Sequence, residues 1–261
     1  MSFEIPTASE LMSKKLVTSS SSSKVSGAVK LMVDYNIGSV IVRDGHSKPL
    51  GIFTERDLLS NVLAAGRQME DTAITDVMTG VLNTVGSDAT LMDAARTMTE
   101  KKGRLVVFDS SGNPTGIVTA TDQVREIQKV GRPFGLSSFY TSGIWEAPPN
   151  SKVADVIRLM SEKRIGSVVI SEGNRFPRGI FTERNLLLSV LLLDFRMDER
   201  VENFSTHYLV TGREGINGLE AAETMKVHRI KRLPLVREKD GQIIGIATAR
   251  DLVAAFATSN R

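Results

Sequence analysis

The sequence predicts an α+β fold built from four copies of one unit, because three features recur in every copy. The first is the motif Gly-Ile-x-Thr-x-x-Asp/Asn, whose glycines stand 63 to 66 residues apart. Its copies begin at Gly51, Gly116, Gly179 and Gly245. The second is an amphipathic helix ahead of the motif, and the third is a pair of β-rich runs joined by a turn. Each copy therefore reads helix, strand, turn, strand, helix.

A methionine closes an apolar helical stripe 18 to 20 residues before each motif glycine. In the third copy Val153, Val156, Ile157 and Met160 follow the i, i+3, i+4, i+7 spacing of a helix that packs one face on a core. The stripes of the other copies end at Met32, Met98 and Met225. The β-rich runs that follow are residues 40–42, 105–108, 168–170 and 233–236. Each run leads through a Gly-containing turn into the motif.

A short segment, called the leader here, precedes each copy and ends in a hydroxyl residue. The leaders are Leu11-Met12-Ser13, Val77-Met78-Thr79, Phe139-Tyr140-Thr141 and Phe204-Ser205-Thr206. Short strands are predicted after them, at 16–18, 82–84, 144–145 and 208–210. The five serines from Ser19 to Ser23 predict a strand-to-helix loop that caps the first helix.

The copies alternate in type. The first and third share Ile-Gly-Ser-Val and Phe-Thr-Glu-Arg, whereas the second and fourth share Arg-Leu and Ala-x-x-Asp. This alternation indicates that a two-repeat unit was duplicated whole. The boundary is predicted near Gly131-Arg132-Pro133.

Composition narrows the function classes. The 261 residues are 41% apolar, enough to bury a core. With no cysteine, disulfides and thiolate chemistry are excluded, and a cytoplasmic location is expected. The most apolar run, 186–193, is far shorter than the ~20 residues that span a bilayer, and it predicts a buried helix without a membrane role. A balance of 33 Lys+Arg against 30 Asp+Glu is too even to indicate nucleic-acid binding.

No pattern typical of an enzyme appears. The histidines His46, His207 and His228 have no helical His partner for a metal, so no metal site is predicted. Nucleophile-elbow, Walker-lysine and paired-carboxylate patterns are also absent. The sequence therefore predicts neither catalytic residues nor a catalytic cofactor.

The repeated pattern resembles the CBS (cystathionine-β-synthase) domain, two of which form a Bateman module. The resemblance covers nearly the whole chain. The overall pattern is similar to that of stand-alone four-repeat proteins and of the gamma subunit of the AMP-activated protein kinase. It implies one module at 1–130, with repeats at about 8–66 and 74–130, and a second at 131–261, with repeats at about 136–196 and 201–261. It also implies two clefts per module and a disc-like assembly, formed within one chain or between two chains as a homodimer.

The motif supports two interpretations. A Thr followed three residues later by an acid is a capping pattern for a new helix, with no further function required. The same open helix end suits a phosphate, the carboxylate can accept hydrogen bonds from a ribose diol, and Gly51 allows a backbone or a ligand to approach the strand. The resemblance places the acid on the ribose of an adenine nucleotide. The nucleotide-binding residues it implies are Thr54, Asp57, Thr119, Asp122, Thr182, Asn185, Thr248 and Asp251.

Asn185 departs from the acidic pattern, so the third site is predicted to be weak or empty. Cations for the phosphates are predicted in the basic clusters before the strands of repeats 2 and 4 and in the motif helices. They are Arg56, Arg104, Arg184, His228, Arg229, Lys231, Arg232 and Arg250. Compensation of a helix dipole on a solvated surface is the alternative explanation for each cluster.

These observations predict a regulatory sensor, not an enzyme. It would bind AMP, ADP, ATP or a related adenosyl ligand such as S-adenosylmethionine and pass its occupancy to an effector protein. Two alternatives remain open, namely a nucleic-acid-binding protein that uses the basic clusters and an architectural subunit with empty clefts.

Overall fold

The computed structural model confirms the α+β class and describes residues 5–46, 48–173, 176–192 and 196–259. Every repeat has one strand, a helix, two further strands and a second helix, in that order. Repeat 1 follows helix α1 (Ala8–Leu11) and consists of β1 (Thr18–Ser20), α2 (Val25–Asp34), β2 (Ser39–Arg43), β3 (Pro49–Thr54) and α3 (Glu55–Asp57), which continues as a π-helix at Leu58–Leu63.

Repeat 2 follows a short 3₁₀ turn (Ile74–Asp76) and has a regular second helix. It consists of β4 (Thr84–Gly86), α4 (Leu91–Lys101), β5 (Leu105–Phe108), β6 (Pro114–Val118) and α5 (Ala120–Val130). Helix α5 ends at Gly131, whose φ of 72° is the left-handed conformation that favours glycine, at the predicted boundary between the duplicated halves.

Repeats 3 and 4 repeat this order. Repeat 3 follows strand β7 (Thr141–Ser142) and consists of β8 (Glu146–Ala147), α6 (Val153–Glu162), β9 (Ser167–Ile170), β10 (Gly179–Thr182) and α7 (Glu183–Leu192). Repeat 4 follows a 3₁₀ turn (Val201–Phe204) and consists of β11 (Gly212–Arg213), α8 (Gly218–His228), β12 (Arg232–Val236), β13 (Ile243–Thr248) and α9 (Ala249–Ser259). The predicted helix over 186–193 is α7, and Leu193 lies outside the described residues.

The three strands of each repeat pair with the same topology, and in repeat 4 the sheet gains β7 as a fourth strand, antiparallel to β13. The first strand runs parallel to the second, and the second runs antiparallel to the third. The helix between the first two strands provides the crossover that a parallel pair requires. The first strands begin two to four residues later than predicted, because the residues before them connect the leader to the repeat.

The serine run forms the predicted loop only at Ser21 to Ser23, because Ser19 and Ser20 belong to β1, and it does not form the predicted cap. The N-cap residue of α2 is Lys24, whose side chain makes no capping hydrogen bond. The backbone N–H groups of Val25 and Ser26 donate instead to the carbonyls of Thr72 and Met69, at 3.0 and 3.1 Å. Backbone from the following connection therefore caps this helix, which the sequence pattern could not reveal.

The leaders are exchanged between the repeats of each half. Ser13 pairs with Ile117 of repeat 2, and Thr79 pairs with Ile52 of repeat 1. In the second half Thr141 pairs with Ile246 of repeat 4, and Thr206 pairs with Ile180 of repeat 3. Each leader therefore lies against the motif strand of the other repeat in its half.

The chain divides into two compact units, each containing two repeats. The even unit holds repeats 2 and 4 and comprises the described parts of Met1–Leu16, Asn83–Ile144 and Val210–Arg261. The odd unit holds repeats 1 and 3 and comprises the described parts of Val17–Leu82 and Trp145–Leu209. The predicted modules, 1–130 and 131–261, group the repeats differently and stay a prediction.

Apolar residues join the two repeats within each unit. In the even unit a single core includes Leu105, Ile127, Leu233 and Leu252. In the odd unit each repeat has its own core, and each receives one leucine from the other repeat. Leu187 packs into the core of repeat 1, and Leu59 packs into the core of repeat 3.

One polar side chain interrupts the core of the even unit. Gln123 is fully buried, and its Oε1 has no hydrogen-bond partner among the described residues. Its Nε2 donates only to the sulfur of Met98, at 3.5 Å, and sulfur is a weak acceptor. The equivalent positions of the other repeats are leucines, all fully buried: Leu58, Leu186 and Leu252.

We expect Gln123→Leu to stabilise the protein by about 1–2 kcal/mol, because the variant removes a buried acceptor without a partner and adds apolar contact. Urea denaturation of the full chain measures the change. Gln128→Leu in the same helix is the control, since Gln128 accepts a hydrogen bond from Lys226 at 2.8 Å and should gain nothing. An unfolding midpoint of Gln123→Leu at or below the wild-type value would contradict the expectation.

Candidate functional site

The motif residues form the same capped helix start in all four repeats. The backbone N–H of the motif Thr donates to the side-chain oxygen of the acid or amide three residues later, at 2.7–3.0 Å. The Thr hydroxyl donates to the same oxygen at 2.6–2.7 Å. In return, the hydroxyl accepts from the backbone N–H of that residue, at 3.2–3.4 Å. The capping interpretation is therefore confirmed in every copy.

The cap uses one side-chain oxygen of Asp or Asn, and the contacts of the second side-chain atom differ among the repeats. Oδ1 of Asp57 accepts from Thr79 Oγ1 and Asn61 Nδ2, both at 3.3 Å. Oδ1 of Asp122 lies 3.7 Å from an Arg125 nitrogen. Nδ2 of Asn185 donates to Thr206 Oγ1 at 3.2 Å.

Asp251 has the most available acceptor of the four. Its Oδ2 is used in the cap, and its Oδ1 takes part in none of the hydrogen bonds or ion pairs found within residues 5–46, 48–173, 176–192 and 196–259. Burial raises the pKa of this carboxyl, and the hydrogen bonds from Thr248 and the charge of Arg250 only partly offset that effect. A partly desolvated carboxylate with one open acceptor can bind a hydroxyl group strongly.

The motif glycines allow the leader backbone to lie against the motif strand. A Cβ on Gly51 would lie 2.5 Å from the carbonyl oxygen of Thr79. Equivalent atoms on Gly116, Gly179 and Gly245 would lie 2.5–2.9 Å from the leaders, with the leader carbonyl oxygens at 2.7, 2.9 and 2.5 Å. Of the two predicted partners, backbone or ligand, the structure places a backbone beside each glycine.

Two of the predicted phosphate ligands, Arg56 and Arg184, take part in ion pairs between the motif turns of repeats 1 and 3, and their role toward a phosphate stays a prediction. Arg56 forms an ion pair with Glu183 at 2.9 Å and donates to the carbonyl of Arg164 at 2.9 Å. Arg184 forms the reciprocal ion pair with Glu55 at 3.2 Å. The guanidinium groups thus join repeat 1 to repeat 3. In repeats 2 and 4 the glutamate positions are alanines, so this arrangement belongs to the odd unit.

The basic residues of the even repeats lie at the motif. Arg232 stands opposite Thr248 in the β12–β13 ladder, and the carbonyl of Lys231 accepts from the backbone N–H of Ala249 at 2.9 Å. Arg104 directly precedes Leu105, which pairs with Val118, the residue before Thr119. In the odd repeats Ser39 and Ser167 stand opposite the motif Thr.

Three further predicted cations lie on exposed surface around repeat 4. His228 is the last residue of α8, and Arg229 follows it with a φ of 54°. Arg250 is the second residue of α9, next to Asp251. These positions agree both with phosphate binding and with compensation of the helix dipole, so they stay predictions.

Sequence reasoning missed the leader hydroxyls as site residues. Thr79 and Thr206 contact Asp57 and Asn185, each of which lies in the preceding repeat. The available signal was a hydroxyl residue at the end of every leader. It was overlooked because the leaders pack on the other repeat of each half.

A small cleft lies away from these residues, in repeat 3. It has a volume of about 280 Å³ and is lined by Pro149, Ile170, Arg178, Glu202 and His207. Arg178 precedes β10, whereas the motif Thr182 ends it, so the cleft lies at the other end of that strand. It contains none of the predicted nucleotide-binding residues.

Two features are absent from the described residues. No helix there is both long and apolar enough to cross a bilayer. Among those same residues, no three His, Asp or Glu side chains are grouped so that they could hold a metal ion.

The repeated sheets, exchanged leaders and capped motif turns define a protein of tandem CBS repeats. The chain belongs to the CBS domain family, whose model matches residues 8–64, 74–128, 137–191 and 201–258. This confirms the resemblance seen in the sequence.

Several relatives are similar in sequence to parts of the chain. "Uncharacterized protein MK0525" of Methanopyrus kandleri is 31% identical over 114 residues, which make up 43% of this chain and 58% of that protein. "Uncharacterized protein MJ1404" of Methanocaldococcus jannaschii is 27% identical over 178 residues, 61% of this chain and 41% of that protein. The matches thus span less than two thirds of either relative.

A solved structure shares the fold over nearly the whole chain. The crystal structure of MJ1225 from Methanocaldococcus jannaschii, described as a candidate archaeal homologue of g-AMPK, has a TM-score of 0.82 and 20% sequence identity. The match covers 96% of this chain and 100% of that one. At this identity the likeness concerns the fold alone.

Proposed function

We infer that the protein is a non-catalytic regulatory sensor that binds adenine nucleotides or a related adenosyl ligand at its CBS motif turns. The observation that carries this inference is the motif turn of repeat 4. Among the residues that the structure describes, Asp251 keeps one carboxylate oxygen available beside Thr248, and Arg232 stands opposite Thr248 in the ladder. An acceptor for a ribose diol and a cation for a phosphate therefore come from neighbouring elements of repeat 4, the start of α9 and the start of β12.

Binding must be communicated to a partner to serve as a signal. A ligand shifts a conformational equilibrium only as far as its affinities for the two states differ. The leaders provide a route for such a difference, because Thr79 and Thr206 contact the motif turns and belong to the connections between repeats. We infer that an effector protein recognises the state that the ligand favours.

We expect the chain to bind AMP, ADP, ATP or S-adenosylmethionine, and Asp251→Ala to lose one equivalent, because the variant removes the available acceptor. Isothermal titration calorimetry of the full chain measures the stoichiometry. The matched control is Asp93→Ala, which breaks the same kind of cap at Thr90, on helix α4. Both variants lose a helix cap, but Asp93→Ala should keep every equivalent.

Acidification adds a second readout at this site. The raised pKa of Asp251 means that the folded state holds this proton more tightly than the unfolded chain. The stability that this group contributes is therefore present below the pKa of the unfolded chain and is lost as the pH rises through the pKa of the folded state. Ligand binding requires the opposite form, because the ionised carboxylate is the one that accepts hydrogen bonds from a diol. We expect ligand affinity at repeat 4 to fall as the pH falls through this raised pKa, and Asp251→Asn to remove both the ribose contact and its pH dependence at this repeat.

Two experimental results would favour a different function. No heat with any of these ligands at millimolar concentration would contradict nucleotide sensing and favour an architectural subunit. A gel shift with DNA or RNA that weakens steeply with salt would favour nucleic-acid binding by the basic clusters.

A further inference from the structure

The cap in repeat 3 determines which way the Asn185 amide faces. The backbone N–H of Thr182 donates to Oδ1 of Asn185 at 3.0 Å, and the Thr182 hydroxyl donates to the same atom at 2.6 Å. An amide nitrogen cannot accept either hydrogen bond. Oδ1 must therefore face the cap, and Nδ2 must occupy the position that the second carboxylate oxygen of Asp has in the other repeats.

This orientation reverses the polarity of the leader hydroxyl next to it. In repeat 1 the Thr79 hydroxyl donates its proton to Asp57 Oδ1 at 3.3 Å and keeps its lone pairs available. In repeat 3 the Thr206 hydroxyl accepts from Asn185 Nδ2 at 3.2 Å, so its proton is available. Repeat 1 thus presents acceptors, which suit the hydroxyls of a ribose, whereas repeat 3 presents an N–H and an O–H.

The cap in repeat 3 is also less negative than the caps of the motif turns in the other repeats. Asn185 is neutral, so the N-terminal end of the ten-residue helix α7 has no carboxylate in its cap to offset the dipole. The nearest acid of that helix, Glu183, is only 10% exposed in its side chain and pairs with Arg56 at 2.9 Å. Two donors and a partial positive charge therefore face outward together.

We propose that the motif turn of repeat 3 binds an oxyanion, a phosphate or carboxylate group, and not a ribose diol. This proposal rests on the inference that the motif turns are ligand sites, and it changes the ligand class at one of them. Hydrogen bonds from N–H and O–H donors to an ionised oxygen are the strong ones. A ribose phosphorylated at its 2′ or 3′ oxygen would place such an oxygen where the diol lies in the other repeats.

The direct test uses inorganic phosphate and the side-chain amide signal of Asn185 in the ¹⁵N spectrum of the full chain. We expect phosphate to shift this signal in a saturable manner. Asn185→Asp should weaken the phosphate-induced shifts of neighbouring Thr182 and Thr206 at least about tenfold, because a carboxylate repels the anion and removes the donor. Since Asp occupies this position in the other repeats, the variant should keep the cap.

Two control variants separate this effect from a general change at a helix end. Asn217→Asp makes the same replacement at the N-cap of α8, where Asn217 accepts from the backbone N–H of Glu220 at 3.0 Å. It should leave phosphate binding at repeat 3 unchanged. Thr206→Val removes the second donor and should weaken phosphate binding without adding affinity for a diol.

A second arm uses AMP and adenosine 3′-monophosphate. Asn185→Asp should add one equivalent of AMP, and adenosine 3′-monophosphate should shift the Asn185 signal of the wild type more strongly than AMP does. The proposal would be overturned if phosphate did not change the chemical shift of the Asn185 amide signal. It would also be overturned if the wild type and Asn185→Asp bound the same number of AMP molecules. If phosphate shifts the signal while AMP binds nowhere, nucleotide sensing fails and the oxyanion site stands.

Discussion

Arg184→Ala is expected to destabilise the protein by about 2–4 kcal/mol, because it removes one arginine from a buried, ion-paired carboxylate together with two further hydrogen bonds. The Arg184 guanidinium contacts Glu55 at 3.2 Å and donates to the carbonyl of Ile37 at 2.9 Å. It also donates to Asn36 Oδ1. The side chain of Glu55 is only 8% exposed, so water cannot replace the lost contact fully. Urea denaturation of the full chain gives the change in the free energy of unfolding.

Arg158→Ala is the matched control for this variant. Arg158 pairs with Asp155 at 3.4 Å, but the two side chains are 65% and 58% exposed, and such pairs contribute about 0–1 kcal/mol. The double variant Arg184→Met with Glu55→Met should recover much of the loss, because it removes the buried Glu55 charge together with its partner. A loss in Arg184→Ala no larger than in Arg158→Ala would refute the structural role of this pair.

Gly51→Ala is expected to destabilise the protein by about 2–3 kcal/mol, because the added methyl group would overlap the leader. The new Cβ would lie 2.5 Å from the Thr79 carbonyl oxygen and 2.9 Å from the Met78 sulfur. Relief requires the leader to move, which stretches the two 2.9 Å backbone hydrogen bonds between Ile52 and Thr79. The Thr79 hydroxyl would then also leave Asp57, so ligand affinity at repeat 1 should fall with stability.

Gly45→Ala controls for the general effect of replacing glycine. A Cβ there meets nothing within 4 Å, and the change should stay within about 0.5 kcal/mol. Gly179→Ala should be milder than Gly51→Ala, since its Cβ would lie 2.9 Å from the Thr206 carbonyl oxygen. Thermal unfolding of the three variants gives the order of their stabilities. Equal losses of stability in Gly51→Ala and Gly45→Ala would show that the leader is not in close contact with this strand.

The odd and even units use different means to join their repeats. In the odd unit Glu55 and Arg184, with Arg56 and Glu183, link the two motif turns directly. In the even unit the equivalent glutamates are alanines, and one apolar core spans both repeats. Ligand binding at repeat 1 should therefore affect repeat 3 through these ion pairs, because Asp57 lies on the same helical turn as Glu55.

Local patterns were enough to predict the repeats and the cap. Thr54 and Asp57 lie three residues apart, and a capping box requires only a Thr or Ser and an acid at that spacing. A single copy of the motif is therefore enough to predict the cap. The apolar stripe ending at Met160 likewise predicted the buried face of α6.

Contacts between distant segments could not be predicted in this way. Gly218 begins α8 where the other repeats have Val25, Leu91 and Val153, and a Cβ there would lie 2.0 Å from the ring of Phe134. The Phe134 ring thus takes the space of the missing side chain, and only the fold brings it there. The ion pair of Arg56 could not be predicted for the same reason, since its partner Glu183 is more than a hundred residues away in the sequence.

Native mass spectrometry of the full chain with AMP tests whether the four motif turns are ligand sites of unequal kind. We expect saturation at one to three AMP molecules per chain, one fewer in Asp251→Ala and one more in Asn185→Asp. Saturation at four in the wild type, or no bound AMP in any of the three proteins, would contradict it.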